Sequence, residues 1–123
     1  MQGKILIVDD EEGARLAIQR VLVRDGFDAD VAANGEDAQA LLAADNYDVA
    51  IIDLRMPGVD GYEVIRRIRA RTGGPPVKII VVTASAFQES RKAILASGAD
   101  EFILKPFRVE EFLRVLERSL QTF

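Results

Sequence analysis

The sequence contains no histidine, no cysteine and no tryptophan. Each absence removes a class of chemistry. Without cysteine there is no disulfide framework, no thiol nucleophile and no thiolate metal site. Without histidine there is no imidazole base, no zinc site of the usual nitrogen and sulfur kind, and no residue able to carry a phosphohistidine. Long hydrophobic runs are missing too. The N-terminal apolar stretch from Ile5 to Val8 stops at Asp9 and Asp10, far short of a secretory h-region or a membrane span. The default expectation is therefore a soluble, cytoplasmic domain with no membrane partner. Positive charge is in deficit, with 16 Lys and Arg against 20 Asp and Glu, a net charge of −4. No basic stripe stands out, which argues against direct nucleic-acid binding. Chemistry, if there is any, falls to carboxylates, hydroxyls, amines and the backbone.

What is present reads as one globular domain over residues 1–123. The length is enough for a single core, and 49% hydrophobic with 29% charged residues is ordinary for a globular protein. Five apolar strand candidates alternate with helical patterns. Lys4-Ile-Leu-Ile-Val-Asp9 is a β-branched run without polar alternation, the signature of a strand buried on both faces. Ala14, Ala17, Ile18, Val21 and Leu22 follow at helical spacing, and Asp25-Gly26 ends that helix. Phe27–Ala32 is a shorter, more polar strand suited to an edge. Asn34 stands where a helix cap belongs, before a helix with Ala38, Leu41 and Leu42 inward. Val49–Asp53 is the third strand. Pro57-Gly58 marks a turn, and a helix over Tyr62–Arg71 turns Val64, Ile65 and Ile68 inward.

Gly73-Gly-Pro-Pro76 is the only breaker-rich stretch and reads as a helix-to-strand loop. Val77–Thr83 is the fourth strand. A helix from about Gln88 to Ser97 follows, with Gly98 at the position of a left-handed cap. Phe102–Leu104 is the fifth strand, ended by Lys105-Pro106. The last helix aligns Val109, Phe112, Leu113, Leu116 and Leu120. Five strand–helix units predict an α/β, three-layer αβα fold around a doubly wound parallel sheet. Ligands of such sheets bind beyond the carboxyl ends of the strands.

The polar residues gather at those ends. Asp9 and Asp10 end the first strand, Asp53 the third and Thr83 the fourth, and Lys105 follows the fifth. Taken singly, each has a bland reading: Asp10 as a helix cap, Asp53 as a turn former, Thr83 as a strand residue, Lys105 as a solvated cation. Taken together they place three carboxylates on one edge, where they would repel one another. Lys105 offsets one negative charge, and a hard divalent cation such as Mg²⁺ would offset the rest. Carboxylate, Mg²⁺ and ammonium together suit phosphoryl transfer, with Asp53 as nucleophile and the other groups positioning and neutralising charge.

With these residues in place, the sequence resembles the receiver domain of two-component response regulators. The matching pieces are Ile7-Val-Asp-Asp-Glu11, Ile51-Ile-Asp-Leu-Arg-Met-Pro-Gly58, Asp60-Gly61, Val82-Thr-Ala84, Ser97-Gly-Ala-Asp100 and Leu104-Lys-Pro-Phe107. They run through nearly the whole chain in family order. The resemblance implies the strand order 2-1-3-4-5 and a phosphoacceptor at Asp53. It also implies Mg²⁺ held by Asp10, Asp53 and the backbone carbonyl of Arg55, with Asp9 helping through water. Lys105 would pair with the phosphoryl group, and Thr83 and Phe102 would form the conformational switch. Pro106 matches the family's cis proline. The donor would be a histidine kinase or histidine phosphotransfer domain. The face made by the fourth helix, fifth strand and fifth helix would be the responsive surface and a candidate homodimer interface. Gly73–Pro76 and Thr83-Ala-Ser-Ala-Phe87 are similar to receivers attached to hybrid histidine kinases. The pattern stops right after the fifth helix, as in a stand-alone receiver or one excised from a longer protein.

Three other readings compete with this one. A flavodoxin-like cofactor binder needs a phosphate-cradling loop after the first strand, and Asp9-Asp-Glu-Glu12 would repel the anion. A haloacid-dehalogenase-like phosphatase needs Asp-x-Asp there, which is absent. A pseudo-receiver, serving only as an unphosphorylated docking module, stays open as the alternative.

Two positions depart from the common pattern: Arg55, two residues after Asp53, and Ser85, two after Thr83. Side chains at these places tune the access of water to the phosphoryl group in this family. Arg55→Ala should therefore change the decay rate of the phosphorylated protein, followed by loss of the adduct over time. Equal decay in both proteins would refute a role for Arg55.

Overall fold

The computed structural model describes residues 3–54, 61–71, 76–83 and 91–121. Among the described residues, ten elements alternate: β1 (Lys4–Val8), α1 (Glu12–Arg24), β2 (Asp28–Ala32), α2 (Gly35–Ala44), β3 (Val49–Asp53), α3 (Gly61–Ala70), β4 (Lys78–Thr83), α4 (Arg91–Ala96), β5 (Glu101–Leu104) and α5 (Val109–Gln121). The strands form one parallel sheet in the order β2-β1-β3-β4-β5. This is the expected α/β architecture, with β1 and β3 central and the polar β2 at an edge.

Side chains alternate across a strand, so a sheet covered on both faces needs two separate cores. The structure has both. Leu6, Val8, Ala50, Ile52, Ile79 and Val81 pack with Ala38 and Leu42 of α2, Val64, Ile65 and Ile68 of α3 and Ile94 of α4. Ile5, Ile7, Val49, Ile51, Ile80 and Val82 pack with Ile18 and Leu22 of α1 and Phe112, Val115 and Leu116 of α5. Every second residue of β1, β3 and β4 thus serves the opposite core. That accounts for the continuous apolar runs in the sequence.

The helix boundaries follow the expected caps, with one exception. The Asn34 side chain accepts from the Asp37 N–H at 2.8 Å and starts α2 as predicted. Gly26 and Gly98 both have positive φ, at 95° and 112°, the left-handed geometry that glycine tolerates best. At α1, however, the cap is Glu11 and not Asp10. Its two carboxylate oxygens accept from Gly13 N–H at 3.0 Å and Ala14 N–H at 2.8 Å.

Two residues that periodicity predicts inward, Ala17 and Val109, are exposed. In α1 only Ile18 and Leu22 are buried, and Ala17 is exposed. In α5 Phe112, Val115, Leu116 and Ser119 are buried and Leu113 and Leu120 pack against the core as predicted, while Val109 is exposed. The reason is a gap between the two helices at the carboxyl end of the sheet. Ala14, Ala17, Val21, Phe107 and Val109 line a mostly apolar groove of about 540 Å³ there.

Ion-pair networks fasten the amino end of the sheet. Lys4 lies among Asp28, Asp30 and Asp45, and the Tyr47 hydroxyl donates to Asp30 at 2.7 Å. On the other side, Arg69 of α3 donates to Gly98 O at 2.9 Å, Val77 O at 2.7 Å and Asp100 Oδ2 at 2.7 Å. The same Asp100 oxygen accepts from the Ile79 N–H at 2.8 Å. One carboxylate thereby joins α3, β4 and the turn into β5. Asp100→Ala should cost about 1–3 kcal/mol, because the Ile79 N–H loses its partner inside a packed sheet. Urea unfolding of the two proteins measures the difference, and equal midpoints would contradict it.

Candidate functional site

The strand register brings the polar residues to one edge. Val8 pairs with Ile52, so Asp9 lies one step past the paired segment, beside Asp53 at the end of β3. Asp53 pairs with Val82 and Thr83 with Leu104. Lys105 continues β5, its N–H donating to Thr83 O at 2.9 Å. The Lys105–Pro106 peptide is cis.

Asp9 is 2% exposed and Asp53 9% exposed, Thr83 is fully buried, and Asp10 is exposed. Carboxylate oxygens of Asp9, Asp10 and Asp53 all lie within 4.8 Å of one another. Lys105 Nζ is 2.9 Å from Asp9 Oδ2 and 3.7 Å from Asp53 Oδ2. It therefore rests on Asp9 while reaching toward Asp53. Burial by itself lowers the ammonium pKa and is the largest influence on it. The Asp9 hydrogen bond and the charges of Asp53 and Asp9 together outweigh it, so the pKa lies above the ordinary lysine value. Lys105 is a fixed cation at neutral pH.

Asp9 is engaged at every polar atom. Its N–H donates to Ala32 O at 3.1 Å, Oδ1 accepts from Glu11 N–H at 3.0 Å, Oδ2 accepts from Lys105 at 2.9 Å, and its carbonyl accepts from Arg15 Nη1 at 2.9 Å. Asp10 makes no hydrogen bond or ion pair to any described residue, so its carboxylate is uncommitted. Three carboxylates against one ammonium leave net negative charge at a cluster of hard oxygen donors. That set suits Mg²⁺, with Asp10 and Asp53 the best placed to hold it. The fourth expected ligand, the carbonyl of Arg55, lies outside the described residues, as does Ser85.

The supposed switch pair is divided in burial. Thr83 is enclosed at the end of β4, and Phe102 is half-buried against the core under α2, α3 and α4. Val81, not Thr83, pairs with Phe102 across the β4–β5 ladder.

Three residues that shape the site carried no assigned role in the sequence. Glu11 caps α1 in place of Asp10, although glutamate lacks the short side chain favoured at caps. Arg15 resembles any solvated helical arginine until its partner is seen. Gly61 was visible only as part of Asp60-Gly61. A methyl group on Gly61 would stand 2.4 Å from Asp53 O and 2.5 Å from Leu54 Cα. The first residue of α3 thus lies directly against the end of β3, its N–H donating to Leu54 O at 3.1 Å.

A family model for the response regulator receiver domain matches residues 5–117. The chain belongs to this family. It is 42% identical over 125 residues to the transcriptional regulatory protein ResD of Bacillus subtilis, covering 98% of this chain and 51% of ResD. The chain spans about half the length of the curated relatives it matches. Among solved structures, the receiver domain of a sensor histidine kinase from Pseudomonas aeruginosa PAO1 superposes with a TM-score of 0.88 at 33% identity, covering 98% of each chain. That structure holds a magnesium ion in its active-site cleft. The Thermotoga maritima response regulator TrrA, solved in complex with Mg²⁺-BeF, gives a TM-score of 0.83 at 36% identity, with 95% of this chain and 98% of TrrA covered. This receiver domain is accordingly a signalling domain of two-component systems, a family that works with histidine kinases. No helix among the described residues is long and apolar enough to cross a membrane.

The contact at Gly61 leads to a direct test. Gly61→Ala forces its new methyl group onto the Asp53–Leu54 backbone, an overpacking that costs about 1–3 kcal/mol. Thermal or urea unfolding should show the loss, and wild-type stability would mean that α3 can retreat freely.

Proposed function

We propose that residues 1–123 act as a single phosphoacceptor receiver unit, taking a phosphoryl group onto Asp53 from a phosphohistidine on a histidine kinase or histidine phosphotransfer domain. The observation that carries this reading is the Lys105 ammonium, 2.9 Å from Asp9 and 3.7 Å from Asp53, beside the exposed Asp10 carboxylate. The absence of histidine from the chain agrees with a donor on another chain or domain.

A carboxylate oxygen of Asp53 attacks phosphorus in line. The phosphorus–nitrogen bond to the donor imidazole breaks, its electron pair stays on the ring, and an acyl phosphate remains on Asp53. Mg²⁺ held by Asp10, Asp53 and the Arg55 carbonyl, with Asp9 behind a water, would neutralise charge on the phosphoryl oxygens. Lys105 supplies the remaining positive charge, half-buried and held beside Asp53 by its two carboxylate neighbours. Asp9 holds that ammonium in the resting state and yields it when the phosphoryl group arrives.

The Thr83 hydroxyl then turns toward the new phosphoryl oxygens, and Phe102 takes up the space it vacates. This shifts the population of the α4–β5–α5 face. Leu95 and Leu104 are exposed there, at 39% and 44%, and Arg118 pairs with Glu101 at 2.9 Å. A second copy of the chain is the proposed further partner for this face, with no direct role for nucleic acid or membrane, and the proposed location is the cytoplasm. The chain is a signalling phosphoacceptor and not an enzyme acting on a separate substrate, its only turnover being slow loss of its own phosphoryl group.

Incubation with Mg²⁺ and acetyl phosphate should give a phosphate adduct by mass spectrometry, abolished by Asp53→Asn and by removal of Mg²⁺. Absence of any adduct, even with a phosphorylated kinase, would instead support a docking module. Sustained hydrolysis of varied phosphate esters would support a phosphatase.

A further inference from the structure

Arg15 makes an unexpected choice of partner. It sits in the second turn of α1, beyond the acidic residues Asp10, Glu11 and Glu12, yet its guanidinium pairs with no carboxylate among the described residues. Instead Nη1 donates to the backbone carbonyl of Asp9 at 2.9 Å. A charged donor on a neutral carbonyl is a strong hydrogen bond, and here it acts on one peptide group.

That peptide joins Asp9 to Asp10. Asp9 is already anchored by its N–H on Ala32 and by both carboxylate oxygens. Its remaining freedom is rotation about the bond from Cα to the carbonyl carbon. The peptide unit is planar, so fixing the carbonyl oxygen fixes the position of Asp10 Cα on the far side of the plane. The following peptide is pinned as well, by the Glu11 N–H on Asp9 Oδ1 at 3.0 Å. Asp10 is bracketed on both sides while its own side chain makes no hydrogen bond or ion pair to any described residue.

We propose that Arg15 is a positioning residue for the cation site: it aims the Asp10 carboxylate at Asp53 by locking the Asp9–Asp10 peptide. The inference rests on the reading of Asp10 and Asp53 as Mg²⁺ ligands and extends it to a residue that touches neither. Arg15 carries a positive charge beside a site for a cation. If charge were its main effect, removing it would strengthen Mg²⁺ binding. If position is its main effect, removing it weakens binding. The two accounts differ in sign.

Mg²⁺ binding is measured by isothermal titration calorimetry on the parent chain, Arg15→Met and Arg15→Lys, with thermal unfolding run alongside. Arg15→Met keeps the aliphatic stem and should bind Mg²⁺ about tenfold more weakly, in keeping with loss of a charge-assisted hydrogen bond. Arg15→Lys retains one donor and should recover part of that loss. Hydrogen exchange at the Glu11 amide should quicken in Arg15→Met, while amides in β3 and β4 keep their protection. Unchanged or tighter Mg²⁺ binding by Arg15→Met would overturn the inference. So would a loss of binding accompanied by collapse of protection across the sheet, with no recovery in Arg15→Lys. Failure of the parent chain itself to bind Mg²⁺ would overturn the metal reading, and this inference with it.

Discussion

Asp9 is a carboxylate almost sealed from water, and a polar group so placed is costly unless it is paired and hydrogen-bonded. The surrounding structure meets that demand from two directions and fixes the backbone behind it from a third. Lys105 approaches from the end of β5, across a sequence separation of 96 residues. The Glu11 amide approaches from the start of α1, and the Arg15 guanidinium holds the carbonyl behind it. The pairing therefore draws the first and fifth strand ends together over the third and leaves the exposed Asp10 beside Asp53. Asp9 is thereby satisfied in full, and Asp10 is the carboxylate of the cluster left without a hydrogen bond or ion pair to any described residue.

Much of this was legible in the sequence, for physical reasons. β-branched runs without polar alternation required a sheet covered on both faces, and the two alternating cores are the direct result. Asp9, Asp10, Asp53, Thr83 and Lys105 each follow an apolar strand, and in a parallel sheet all strand ends lie on one edge. What the sequence did not reveal depends on backbone geometry. Cap preferences favoured Asp10, but Glu11 reached two N–H groups at once. The need for glycine at position 61 comes from an approach of α3 to the Asp53–Leu54 backbone that no local pattern encodes. Periodicity puts Ala17 and Val109 on the inward faces of α1 and α5 because it reports which residues share a face, not how closely two helices meet along it. Ala17 and Val109 fall on the side where they part.

The two ends of the sheet have different tasks. At the amino end, Arg69 with Asp100 and Lys4 with its aspartates tie helices and turns to strands, and these pairs close on themselves. At the carboxyl end the charges do not close. Asp10 stays uncommitted and Lys105 divides its attention between Asp9 and Asp53. The closed networks stand at the amino end, and the one uncommitted carboxylate of the described cluster, Asp10, stands at the carboxyl end.

The strand order has one more consequence. The outermost strands are β2 and β5, and both are poor templates for another strand. β2 carries Asp28 and Asp30, and β5 has only four residues, beginning with Glu101. Short, acidic margins discourage edge-to-edge annealing of sheets. Two copies of this chain that come together are thereby steered away from an open-ended ribbon and toward a closed pairing of helical surfaces, which can be made and dissolved without disturbing either sheet.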